Sequence, residues 1–159
     1  MRLIRFFMLP LLLTIGCQPI EPPTPPPAPT DTEAFTAALE NHLATVRNKD
    51  YESLVNTLPE REYPMQLILP DGTRMQTVGE FLDMHQEWFQ DSSWTMDTQI
   101  LFADRQGDYG MAVVEAMYRE ADRGGKPYFH KMYITYALKE FEDKWLVVMD
   151  HASTVEKSE

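Results

Sequence analysis

Residues 94–153 read WTMDTQILFADRQGDYGMAVVEAMYREADRGGKPYFHKMYITYALKEFEDKWLVVMDHAS, and this stretch decides the fold. Four runs within it, 94–103, 109–119, 127–139 and 144–153, are rich in Val, Ile, Tyr and Thr. Those side chains suit a pleated, half-buried surface. The separators Asp104–Asp108, Arg123–Lys126 and Glu142–Lys144 carry the Gly, Asp and charged residues of hairpin turns. Four long strands joined by hairpins predict one antiparallel meander.

Upstream of Trp94 the period changes. Phe35, Leu39, Leu43 and Val46 recur at helical spacing and predict a helix over 32–48. Thr30-Asp31-Thr32-Glu33 reads as its capping box, in which a Thr oxygen and a Glu three residues on satisfy early helix N–H groups. A shorter helix follows from Tyr51 to Leu58 and stops at Pro59. Met65–Leu69 reads as a strand, Pro70-Asp71-Gly72 as a turn and Thr73–Met75 as its return. Thr77 with Glu80 forms a second capping box, opening a helix that carries Val78, Phe81, Leu82, His85, Trp88 and Phe89. Helices first and a long meander afterwards predict an α+β domain with helices packed on one face of the sheet.

Local motifs agree with that order. Lys49-Asp50-Tyr51-Glu52-Ser53-Leu54 forms an acidic break between the first two helices. Leu69-Pro70-Asp71-Gly72 places the early hairpin, and the last run goes from Trp145 to His151 and Ser153. Over residues 32–155 the chain resembles the nuclear transport factor 2-like superfamily, and within it the SnoaL-like group. The resemblance implies a curved, mostly antiparallel sheet wrapped around N-terminal helices as a cone with an open mouth. It constrains function weakly, because the fold carries isomerases, dehydratases, epoxide hydrolases, transport adaptors and binding or assembly modules.

The N-terminus has a different character. Arg2 and Arg5, then an apolar run from Phe6 to Leu13, then Thr14-Ile15-Gly16 before Cys17 form a secretory signal too short to remain a membrane span. The segment resembles the lipobox of bacterial lipoproteins, although Thr14 stands where Leu is usual. That resemblance implies cleavage before Cys17, lipid on its thiol and attachment of the chain to a membrane. Gln18 after the cysteine, by the sorting rule of such proteins, implies the outer membrane. Seven of the twelve prolines lie between Pro19 and Pro29, so residues 17–30 read as an extended stalk. Residues 31–159 form the domain. Cys17 is the only cysteine, which excludes a disulfide, a thiolate metal site and a cysteine nucleophile from that domain.

The net charge of −11 argues against a nucleic-acid or anionic-membrane partner held by charge. The four histidines show no metal-ligand spacing, so no metal or other cofactor is expected. Among catalytic candidates, His130 lies in the run whose even residues, Tyr128 to Leu138, share one strand face. Alternation does not say which face lines a cavity. Asp150 and His151 are adjacent and point to opposite faces, so one of them faces inward. His42 falls on the polar flank of the first helix and is expected to be exposed. Under the resemblance, the superfamily's isomerases use an acid as proton shuttle and its dehydratases a histidine with a neighbouring acid. His85, Trp88, Trp94, Met117 and Tyr133 are the expected pocket residues, because Met and aromatic side chains suit irregular apolar surfaces. Three functions stay open: a non-catalytic cone that binds a small apolar ligand or a protein, a general acid/base enzyme, and an oligomerisation scaffold. Of these the binder ranks first, as a homodimer through the outer sheet face.

Overall fold

The computed structural model describes residues 32–159. Helices α1 (Glu33–Asn48) and α2 (Tyr51–Val55) lead into strands β1 (Pro64–Ile68) and β2 (Arg74–Thr77) and helix α3 (Val78–Trp88). The four long strands are β3 (Trp94–Gln106), β4 (Tyr109–Glu120), β5 (Tyr128–Phe141) and β6 (Lys144–Lys157). They form one six-stranded sheet in the order β2-β1-β6-β5-β4-β3, in which only the β1–β6 pair is parallel. The predicted α+β class and curved sheet are what the chain adopts.

Local chemistry sets the helix ends. The N-cap of α1 is Thr32, which makes no side-chain cap bond; Thr30 and Asp31 of the expected box lie outside the described residues. Lys49 ends α1 in the left-handed region at φ 55°, and the Asp50 carboxylate then accepts from the Ser53 N–H at 3.0 Å to start α2. At α3, Thr77 Oγ1 accepts from the Glu80 N–H at 3.2 Å. The Glu80 carboxylate reaches back to the N–H of Gln76, one residue earlier than a capping box requires.

Extra residues curve the long strands. Ile100 faces Val114 while Phe102 faces Val113, so Leu101 is extra in β3. Val148 and Val155 are extra in β6, because Val147 and Met149 face consecutive residues of β5, as do Thr154 and Glu156. Each bulge bends its strand, and beyond it the inward-facing positions change from odd to even or back.

The narrow end of the cone is packed solid. Phe35 of α1, with no exposed surface, meets Trp145 edge to face at 5.3 Å. Its ring lies against the backbone of Gly110, where a Cβ would come within 2.4 Å of it, so only glycine fits there. Burying a Phe in this way stabilises the fold by about 1.5–3 kcal/mol. His42 corrects an expectation: it is fully buried. Because α1 is enclosed by the cone, Thr45 and His42 are buried beside the Phe35–Leu39–Leu43–Val46 stripe.

Candidate functional site

Above the packed end, the cone keeps a cavity of about 360 Å³, large enough for a small ligand. Cross-strand rows of the sheet define its depth. The deepest row is Ala112–Tyr136–Asp150–Leu67, running across β4, β5, β6 and β1. Two rows of smaller or apolar residues follow, Val114–Ile134–Ala152 and Ala116–Met132–Thr154. The row Tyr118–His130–Lys157 then forms the rim. Helix α3 covers the opposite wall with Met84, His85 and Trp88, and the hairpin residues Leu69, Pro70 and Asp71 close one side.

Asp150 is the chemical centre of the floor. It is 8% exposed and accepts a hydrogen bond from the hydroxyl of Tyr136, its cross-strand partner. Burial pushes its pKa from 3.8 up to about 7, and the Tyr136 bond opposes part of that rise. Burial, then the Asp150 charge, raises the Tyr136 hydroxyl well above its ordinary value.

The histidines sit in different settings. His85 Nδ1 lies 2.9 Å from the Phe81 carbonyl oxygen. A carbonyl only accepts, so Nδ1 carries the proton and Nε2 is an acceptor in the neutral ring. Burial lowers the His85 pKa to about 4. His42 Nδ1 lies 2.7 Å from Thr57 Oγ1, whose own proton goes to the Leu54 carbonyl. His42 therefore donates from Nδ1, and its buried Nε2 has no hydrogen-bond partner. Burial, with His85 second, lowers its pKa to about 3. His130 is at the rim, with Nε2 2.8 Å from Thr154 Oγ1. Burial, then Lys157 and Arg123, lower its pKa.

The structure sorts the sequence candidates by position. His85, Trp88, His130 and Asp150 line one cavity. Trp94 does not: it is 1% exposed, stacked behind Trp88 at 4.2 Å with the Lys49 ammonium 4.1 Å from its ring. Met117 and Tyr133 stand on the outer sheet face, in the rows Asp97–Met117–Lys131 and Glu115–Tyr133–Ser153. His151 is on that face too, in the row Phe102–Val113–Thr135–His151–Ile68. The bulge at Val148 decides this: with unbroken alternation from Trp145 and Val147, His151 would point inward in place of Asp150. Sequence reasoning missed Tyr136 as the partner of Asp150, and Arg123 and Lys157 at the rim. Tyr136 shares its strand face with His130, which was its available signal; the rim cations gave none. Among the described residues no cluster of three or more metal-ligating side chains forms, and no helix is long and apolar enough to cross a membrane.

No protein-family model and no curated protein matches the chain. Solved structures do. A candidate dehydratase of the nuclear transport factor 2-like family from Streptomyces avermitilis superposes with a TM-score of 0.67 at 16% identity, over 80% of this chain and 97% of its own. A ketosteroid isomerase-like protein from Erwinia carotovora atroseptica gives 0.65 at 12%, over 80% and 98%. The association domain of C. elegans CaMKII gives 0.58 at 16%, over 76% and 92%. Identities this low speak for architecture alone, and the architecture is the nuclear transport factor 2-like, cystatin-like α+β cone.

Proposed function

We propose that the cone takes up a small, mostly apolar molecule and that Asp150 exchanges a proton with it. The observation that carries this reading is a carboxyl group buried in a ligand-sized cavity beside a tyrosine hydroxyl, a setting that pushes its pKa up to about 7. A group with a pKa near the working pH transfers protons in either direction at low cost. Met84, Trp88, Met96, Met132 and Ile134 supply an apolar wall around the site of transfer. The reaction class that fits is proton removal next to a carbonyl, or its reverse. Among the neighbours in fold are an isomerase-like protein and a candidate dehydratase, which is compatible with acid/base work and does not single it out.

One observation favours the non-catalytic alternative. His85 is tied to the Phe81 carbonyl and His130 to Thr154, and neither is hydrogen-bonded to Asp150. A lone Asp–Tyr pair is also a sufficient anchor for a ligand oxygen. Deuterium wash-in separates the two. A panel of small ketones is incubated with the chain in D2O near neutral pD, and exchange next to the carbonyl is followed by NMR. Exchange that disappears in Asp150→Asn supports proton transfer; ketones that bind without exchanging leave only the binder.

The same proposal covers address and assembly. Lipid on Cys17 would hold the domain near the outer membrane, which labelled palmitate incorporation lost in Cys17→Ser would test. The outer sheet face carries half-exposed Phe102, Tyr109, Met111 and Tyr133, a surface suited to a second copy of the chain.

A further inference from the structure

The rim of the cavity does not share the charge of the rest of the chain. The sequence carries −11, yet Arg123, His130 and Lys157 gather where the cavity opens. Of the neighbouring anions, Glu120 is neutralised by Arg123, while Asp71 keeps its charge but is turned into its own hairpin. Glu120 accepts from the Tyr118 hydroxyl and from both Nε and Nη2 of Arg123. Asp71 accepts the Thr73 N–H at 2.8 Å across the hairpin turn. Arg123 is further held flat, its guanidinium carbon 3.5 Å from the Tyr128 ring centroid. Lys157 is different: among the described residues no carboxylate lies within ion-pairing distance of its ammonium. The charges that act on the His130 ring are those of Lys157 and Arg123, both positive.

The distribution along the cavity is polar, apolar, polar. Tyr136–Asp150 lies at the floor and His130–Lys157 at the rim. Six residue steps along β5 separate Tyr136 from His130, or about 20 Å of strand at roughly 3.3 Å per residue. Side chains reaching inward from both ends shorten the free path to that of a small molecule.

We infer that the ligand is an amphiphile with a single carboxylate, whose apolar body fills the cone against Trp88 while its anionic head rests at the rim on Lys157. One unpaired ammonium balances one negative charge, since the Arg123 fork is engaged by Glu120; this selects a singly charged head over a phosphate dianion. The volume of about 360 Å³ holds about twelve non-hydrogen atoms at about 30 Å³ each. The inference rests on the cavity being the ligand site proposed above and names the class of molecule that enters it.

The test uses four probes of matched body on the full-length chain: 4-phenylbutyrate, 4-phenylbutanol, 4-phenylbutylamine and 4-phenylbutyl phosphate. Binding is read by ligand-observed NMR and by quenching of tryptophan fluorescence. The expected order places 4-phenylbutyrate at least ten-fold tighter than the alcohol, and the amine weakest. Lys157→Glu should cancel the carboxylate's advantage and leave the alcohol unchanged; Lys157 is exposed, so the variant folds. A thermal melt matching the unaltered chain checks that. If the alcohol or the amine binds as tightly as the carboxylate, or the phosphate binds more tightly, the singly charged head is wrong while the cavity remains a ligand site. If no probe binds, both the head-group assignment and the ligand site fall.

Discussion

Replacing Asp150 with Asn should make the protein more stable, by an amount that grows with pH. In the folded chain the carboxyl titrates near pH 7, whereas in the unfolded chain it does so at about its ordinary value of 3.8. Between those two pH values the folded state holds a proton that the unfolded state has released. Stability therefore falls as pH rises through that window and levels off above 7. At 1.36 kcal/mol per pH unit, the interval from 3.8 to about 7 corresponds to about 4 kcal/mol of stability withheld by Asp150 in mildly alkaline buffer. Asn keeps the shape, stays neutral and still accepts from the Tyr136 hydroxyl. His42 and His85 also titrate differently in the two states, but they are present in both proteins and cancel in the difference. Urea unfolding followed by tryptophan fluorescence, from pH 5 to pH 9, measures it. The stability gap between Asp150→Asn and the unaltered chain should widen by about 3 kcal/mol between pH 5 and pH 8 and stay constant beyond. A gap independent of pH would show that Asp150 is an ordinary hydrated carboxylate, and the proton-transfer centre would go with it.

His42→Leu should matter in acid. The His42 pKa is lowered from 6.5 to about 3, so the stability this ring protects is present above pH 6.5 and is lost as pH falls. Thr57 keeps its bond to the Leu54 carbonyl without the ring. The variant should therefore be about 3 kcal/mol more stable than the unaltered chain at pH 4.5, two pH units below the unfolded value, relative to their difference at pH 7. Gly110→Ala drives a methyl into the Phe35 ring and should cost about 1–3 kcal/mol in the same urea assay. Tyr136→Phe leaves the buried Asp150 carboxylate without its donor and should cost about 1–3 kcal/mol at pH 8 but little at pH 5, where the carboxyl is protonated. If the outer sheet face pairs two copies as proposed, Met111→Lys with Tyr133→Lys should convert that dimer to a monomer in analytical ultracentrifugation without altering the far-ultraviolet spectrum; a dimer that persists places the assembly surface elsewhere.

The elements were legible because each follows from a local pattern. The Phe35–Val46 stripe predicts α1 to within a residue at its start, and the turn-rich separators place every long strand. The strands run on beyond the predicted ends, to Gln106, Phe141 and Lys157, because hydrogen bonding to a neighbour sustains extended chain after its β-forming residues stop. The sheet order is a different kind of fact. The parallel pairing of β1 with β6 joins segments about eighty residues apart, and no local pattern in either segment encodes it.

Burial was misjudged where the surroundings of an element differ from those its own pattern implies. His42 looks polar beside the stripe of α1, yet a helix enclosed by a sheet buries its flanks as well. Trp94 has the composition of a pocket residue, but Trp88 lies over it and faces the cavity instead. Met117 and Tyr133 are as apolar as the cavity residues and differ from them only in strand parity. Parity, in turn, depends on three inserted residues, Leu101, Val148 and Val155. Nothing marks any of them in the sequence, because a bulge at Val is stabilised by the curvature of the whole sheet and not by a special residue.

The inserted valines are therefore part of the site. Val148 sends Asp150 inward to meet Tyr136 and sends His151 to the outer face; Val155 reverses the parity again further along β6, bringing Lys157 to the rim in register with His130. Without the bulge at Val148, His151 would point inward in place of Asp150, an imidazole for an acid. With that bulge kept but the one at Val155 lost, Glu156 would point inward in place of Lys157, an anion for a cation. The curvature that makes room for a ligand and the parity that selects its chemistry thus have one cause. Changes of residue type at 148 or 155 should be tolerated as long as the side chain remains β-forming, whereas a one-residue deletion between 147 and 155 should disturb cavity shape and charge together.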